Sequence, residues 1–89
     1  MADSIFKKED IKGITCDSRE VRDGYMFVAI KGEKIDGHNF IYDAIERGAK
    51  VIVAEKEVFV KKGVKFILVK DAKEALHKLS NEFYKFPFN

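Results

Sequence analysis

The sequence predicts an α/β fold, a single small layered domain built on a mixed β-sheet flanked by helices. Three observations carry that expectation. The chain has 89 residues, the length of one compact domain. Short apolar runs alternate with segments of helical period in the order β–β–α–β–β–α. No internal repeat, low-complexity tract or linker divides it, so one domain is expected over residues 1–89.

Residues 14–16 read as a short strand, left through Asp17-Ser18-Arg19, and Arg22-Asp23-Gly24 reads as a turn. Residues 25–30 form a near-continuous apolar run, which suits a strand buried on both faces. Residues 31–37 are a polar loop with a glycine near each end. A helix is expected over 39–47, started by Asn39 or His38, with Phe40, Ile41, Ala44 and Ile45 on one face. Gly48 stands where a left-handed residue ends a helix. Residues 51–54 and 66–69 are the third and fourth strands, separated by a charged stretch that turns at Gly63. Asp71, followed three residues on by Glu74, is nearly a capping box. It opens a helix over 72–85 with Ala72, Ala75, Leu76, Leu79 and Phe83 as its apolar stripe, stopped by Pro87.

Composition removes several function classes. Seventeen basic residues stand against 15 acidic ones, and the acidic residues interrupt the lysines almost everywhere, a poor footprint for nucleic acid. No apolar run approaches the roughly 18 residues that would span a bilayer. The opening Met1-Ala2-Asp3-Ser4-Ile5-Phe6-Lys7-Lys8 lacks a long apolar core, which argues for a cytoplasmic protein rather than a secreted one. The single Cys16 excludes an internal disulfide, and with His38 and His77 it makes no convincing metal set.

Two polar segments can carry chemistry. Gly32-Glu33-Lys34-Ile35-Asp36-Gly37-His38-Asn39 follows a strand, precedes a helix and has the glycine spacing of a phosphate loop. A phosphate loop continues with Lys for the β/γ-phosphates and Ser/Thr for Mg²⁺; His38 and Asn39 stand there, so NTP hydrolysis is rejected. A Gly-flanked loop that receives an anion and an ordinary strand-to-helix connection both stay open. Asp17-Ser18-Arg19 lies just past a strand end, where α/β sheets bind ligands. It reads either as a hydrogen-bonding and ion-pairing site or as an Asx turn with a surface arginine. No nucleophile elbow surrounds Ser18. Cys16 is expected as a small packed residue, His38 as a capping or surface residue, and His77 in solvent. Phe83 belongs to the core, with Tyr84, Phe86 and Phe88 partly exposed.

Taken in order, Gly13-Ile14-Thr15-Cys16-Asp17-Ser18-Arg19, Gly24, Phe27-Val28-Ala29-Ile30-Lys31-Gly32, Asp36-Gly37-His38-Asn39-Phe40-Ile41, Ala44-Ile45 and Gly48-Ala49 closely resemble the N-terminal domain of Mur ligases. The resemblance covers nearly the whole chain, from Ile11 to Pro87. Two branches share this domain: one adds the third residue to UDP-N-acetylmuramoyl-dipeptide, and the other adds D-Ala-D-Ala to the tripeptide. Leu79-Ser80-Asn81-Glu82-Phe83-Tyr84-Lys85-Phe86-Pro87 is more similar to the third-residue, tripeptide-forming branch.

The resemblance implies a cytoplasmic, three-domain, ATP-dependent ligase of peptidoglycan synthesis. Its first domain holds the UDP part of the substrate, its second holds ATP and Mg²⁺, and its third brings the amino acid. This chain would be the UDP-substrate-binding domain, without the central and C-terminal domains. It would need no cofactor or metal, carry no catalytic residue, and bind neither nucleic acid nor membrane. The residues that correspond to uridine-nucleotide contacts are Cys16, Ser18, Glu33, Lys34 and Ile35, with weaker claims for Asp17, Arg19 and His38. Cys16 departs from the larger residue usual at its place, which a backbone contact would tolerate. If the first two strands are neighbours, both segments frame one pocket. The alternative is a non-catalytic interaction domain.

Overall fold

Among the described residues, four strands, β1 (Gly13–Thr15), β2 (Tyr25–Val28), β3 (Val51–Ala54) and β4 (Lys65–Leu68), form one sheet in the order β1-β2-β3-β4. The computed structural model describes residues 11–85, and the side chains of 11–84. The readings of the N-terminal segment, Phe86, Pro87 and Phe88 lie outside the described residues. Two α-helices among the described residues, α1 (Ile41–Glu46) and α2 (Ala72–Lys85), cover the sheet.

All three strand pairings are parallel, which corrects the mixed sheet expected above. The connections explain it. None is the tight turn that joins antiparallel neighbours. Residues 16–24, 29–50 and 55–64 each cross back over the sheet before the next strand starts. Val21, α1, and Val58, Val60 and Val64 all pack on one face with Phe27 and Ile52. Three successive crossovers in one direction must share a face if they share one handedness. α2, which follows the last strand, is free to cover the other.

Alternation along the strands splits the core accordingly. Phe27, Ala29, Ile52 and Ala54 face α1, while Met26, Val28, Val51 and Val53 face Ala72, Ala75, Leu76, Leu79 and Phe83 of α2. Both faces of β2 and β3 are therefore dry, as the unbroken apolar run in β2 demands. Each large side chain buried there contributes about 1.5–3 kcal/mol relative to exposure.

Local signals place the ends. Gly48 takes φ +111 after α1, and a Cβ there would lie 2.7 Å from Asp23 Cα, so both backbone angle and space require glycine. Asp71 Oδ1 accepts the Glu74 N–H at 3.1 Å at the start of α2. The first helix departs from expectation. Residues 37–40 form a 3-10 turn and α1 begins only at Ile41. The tighter turn takes Phe40 off the α1 face and leaves it 39% exposed.

Candidate functional site

β1 and β2 are neighbours and parallel, so their carboxyl ends open side by side. Both ends continue in the same way. After β1, Asp17 (φ −112, ψ 113) opens a 3-10 turn over Ser18–Glu20, its Oδ1 accepting the Arg19 N–H at 2.9 Å. After β2, Asp36 (φ −101, ψ 113) opens the 3-10 turn over Gly37–Phe40, its Oδ1 accepting the His38 N–H at 2.9 Å. In both, the side chain two residues on returns to the same carboxylate. Arg19 Nε and Nη2 donate at 3.0 and 2.8 Å, and His38 Nδ1 lies 2.8 Å from Asp36 Oδ1.

Between these turns lies a cleft of about 550 Å³, lined by Cys16, Asp17, Ser18, Arg19, Phe27, Ile30, Gly32, Ile35, Gly37 and Phe40. The volume suits a small ligand, and the position, beyond the carboxyl ends of strands, is where α/β sheets place them. Its lining pairs an apolar floor and wall (Phe27, Ile30, Ile35, Phe40) with a polar rim (Asp17, Ser18, Arg19).

Each wall is braced. On the first, Thr15 Oγ1 accepts the Asp17 N–H at 3.0 Å and donates to Glu20 Oε1 at 3.2 Å. The second is a small hairpin: Lys31 bridges Asp36 antiparallel, the Gly32 N–H donates to Ile35 O, and the Gly37 N–H donates to Ile30 O, both at 2.8 Å. A Cβ on Gly37 would come within 2.7 Å of Ile30 N. His38 then joins this wall to the rest of the fold. Its Nε2 accepts the Glu55 N–H at 3.1 Å, and the Glu55 carboxylate accepts the Ala72 N–H at 2.7 Å, at the first residue of α2.

The electrostatics follow these bonds. The Arg19 guanidinium, then its backbone N–H, hold the Asp17 carboxyl below its ordinary 3.8, and the same pairing raises Arg19. The His38 backbone N–H, then its ring, lower Asp36 in the same sense.

Of the residues singled out from sequence, Cys16, Ser18 and Ile35 line the cleft, with Asp17 and Arg19. Glu33 and Lys34 sit on the hairpin, exposed to solvent and outside the lining. Three expectations are corrected. Cys16 is exposed, not packed, because β1 ends at Thr15 and the next residue leaves the sheet. The His38 side chain is neither cap nor surface: it is 5% exposed, and Asp36 is the cap. Phe40 lines the cleft rather than continuing the helix face. His77 is exposed, as expected. Sequence reasoning missed Phe27, Ile30 and Phe40 as lining residues and Glu55 as a brace. Only the repeated Asp-x-Arg/His pattern after two strands could have signalled the matched turns.

The hairpin does not fit ATP with Mg²⁺. The Gly32 and Gly37 amides that could cradle phosphates are spent inside the loop, and His38 faces Asp36 and Glu55. No described helix is long and apolar enough to cross a membrane.

Fold and cleft together define a parallel α/β domain with a cleft at the carboxyl ends of its first two strands. Residues 10–84 match the family described as "Mur ligase family, catalytic domain". The chain is 48% identical over 85 residues to the UDP-N-acetylmuramoyl-L-alanyl-D-glutamate–2,6-diaminopimelate ligase of Aquifex aeolicus, covering 96% of this chain and 17% of that one. It is 50% identical over 82 residues to the enzyme of the same name from Bacillus velezensis, covering 92% and 16%. Among solved structures, the MurF ligase of Thermotoga maritima in complex with ADP superposes with a TM-score of 0.71 at 36% identity, over 86% of this chain and 18% of that one. A MurF from Acinetobacter baumannii gives 0.69 at 35% identity, over 78% and 15%. The chain belongs to the Mur ligase family, and its fold is that family's N-terminal domain. It spans about a sixth of the length of the curated relatives it matches.

Proposed function

We propose that this domain holds the uridine-diphosphate part of UDP-N-acetylmuramoyl-L-Ala-D-Glu for a cytoplasmic, ATP-dependent ligase that joins 2,6-diaminopimelate to it in peptidoglycan synthesis. The observation that carries the reading is the cleft, where the segments 16–19 and 32–37 meet at adjacent strand ends. The relatives' names supply the substrate class. The cleft chemistry is compatible: apolar Ile30, Ile35 and Phe40 can flank a pyrimidine ring, while Ser18 and nearby backbone groups meet its polar edge. Arg19 offers a cation to the diphosphate, a contribution that salt screens. Cys16, Ser18 and Ile35 are seated for direct contact. Glu33 and Lys34 reach only a part of the ligand that extends past the mouth. ATP, Mg²⁺ and the carboxyl-activating chemistry are assigned to other domains of the parent chain.

An amide NMR titration with UDP-N-acetylmuramoyl-L-Ala-D-Glu, with UDP and AMP as controls, tests it. Shifts centred on Cys16 to Arg19 and Gly32 to His38, produced by uridine compounds and not by AMP, are expected. A folded spectrum unmoved by UDP compounds would sink the reading for this domain and favour an interaction module, for which exposed Phe59 and Leu68 are the natural surface.

The likeness to MurF structures favours a second reading, the D-Ala-D-Ala-adding branch. Both branches share the nucleotide end of the substrate. The UDP-N-acetylmuramoyl-tripeptide is the ligand to compare, and preference for it over the dipeptide would favour that branch.

A further inference from the structure

We propose that His38 is a positioning residue of the cleft, holding the Gly32–Gly37 wall in place as a neutral imidazole protonated on Nδ1. Its bonding admits one tautomer. The Glu55 backbone amide can only donate, so the Nε2 it meets at 3.1 Å carries no proton. The ring proton is therefore on Nδ1, directed at Asp36 Oδ1 at 2.8 Å. An imidazolium would set two donors against each other at Glu55, so this geometry belongs to the neutral ring.

The consequence is a side chain that ties its own turn to the residue after β3, with α2 attached one bond further on. Asp36 opens the turn that closes the hairpin, and the neighbouring Gly37 and nearby Phe40 line the cleft. Glu55 follows β3 directly, and its carboxylate receives the first amide of α2. His38 itself is absent from the lining and its side chain is only 5% exposed, so it acts on a ligand through Gly37 and Phe40 rather than by touch. Removing the ring frees the Glu55 N–H, strips Asp36 of the ring bond while leaving it the His38 backbone N–H, and lets the hairpin shift over the cleft mouth. The effect on ligand rests on the uridine reading above; the tie itself does not.

The test uses the chain as it stands. A nitrogen-15 long-range correlation spectrum of the imidazole at neutral pH reports which ring nitrogen bears the proton. A protonated Nδ1 and a bare Nε2 are expected for His38, and a protonated Nε2 would overturn the assignment. His38→Ala is then compared with His38→Gln and His38→Asn. The glutamine oxygen can replace the Nε2 acceptor, whereas asparagine reaches only towards Asp36. Ala and Asn are expected to weaken UDP binding roughly tenfold, the scale of one lost hydrogen-bonded link, with Gln recovering most of it. Wild-type affinity in His38→Ala would refute the positioning role. If the unsubstituted domain binds no UDP, the nucleotide reading fails by itself. The tie is then judged by amide exchange at Gly32 and Gly37, which must quicken in His38→Ala while β2 and β3 amides hold. Unchanged exchange there would overturn it.

Discussion

The two walls of the cleft begin with the same device and end differently. Each opens on an aspartate that accepts the amide two residues on and pairs with that residue's side chain. Arg19 stops there, with 82% of its side chain in solvent. His38, 5% exposed, carries the link on to Glu55 and α2. The first wall is thus a local object, braced within residues 15–20. The second is a small hairpin that depends on where β3 ends and α2 begins. Exposed ion pairs contribute little to stability, whereas a buried ring bonded at both nitrogens is costlier to remove. The walls should therefore respond unequally to substitution.

Removing the floor both walls share should have the largest effect. Phe27 is fully buried and also lines the cleft. Phe27→Ala is expected to cost about 3–5 kcal/mol in urea unfolding, enough to unfold much of a small domain. A loss below about 1 kcal/mol would show that the core closes around the gap. Gly37→Ala comes next and strikes the second wall alone. Its Cβ would press on Ile30 N and O at 2.7 and 2.9 Å, and overpacking of this kind costs about 1–3 kcal/mol. Uridine binding should fall further than stability does, which paired melting and titration curves would show.

Glu55→Ala tests how far the second wall reaches. Loss of the carboxylate that receives the Ala72 amide should cost about 1 kcal/mol, the value of a helix cap, and quicken exchange at Ala72. If Gly32 and Gly37 stay unchanged, the wall depends on the Glu55 amide and not on its side chain. Acid sharpens the comparison. Asp17 and Asp36 both have carboxyls lowered from 3.8 in the folded state. Their contribution is fully present above that ordinary value and is lost as pH falls through the lowered one. Asp36→Asn should flatten the acid limb of a melting-temperature profile more than Asp17→Asn. Equal flattening would mean that burial of the partner makes no difference. Arg19→Ala is the smallest change: an unaltered melting temperature, with weaker and less salt-dependent UDP binding.

Much of the fold was legible because it is written in short-range pattern. β3 is the run 51–54 and α2 is 72–85, each with the expected limits, since periodicity, Asp71 and Gly48 act locally. The 16–19 turn was legible for the same reason. The direction of the strands was not, because parallel and antiparallel neighbours differ in the path of the connection rather than in the strand. The misplacement of Phe40 has a local cause of another kind: a 3-10 start shifts the phase of everything before Ile41.

By itself the sequence determined the α/β class, the order of elements, the two polar segments past the strand ends and the resemblance to Mur ligases. Each of these depends on residues close together in the chain or on their spacing. Only the tertiary structure decided that the sheet is wholly parallel, that the two segments share one cleft, that Cys16 faces solvent, and that His38 is a buried tie. Those outcomes depend on which distant backbone groups are brought within hydrogen-bonding reach. Glu55 N–H meets His38 across 17 positions of sequence, and Glu55 reaches Ala72 across another 17. A backbone donor just past a strand end pairs with whatever acceptor the fold brings to it, and no local pattern in the chain names that partner.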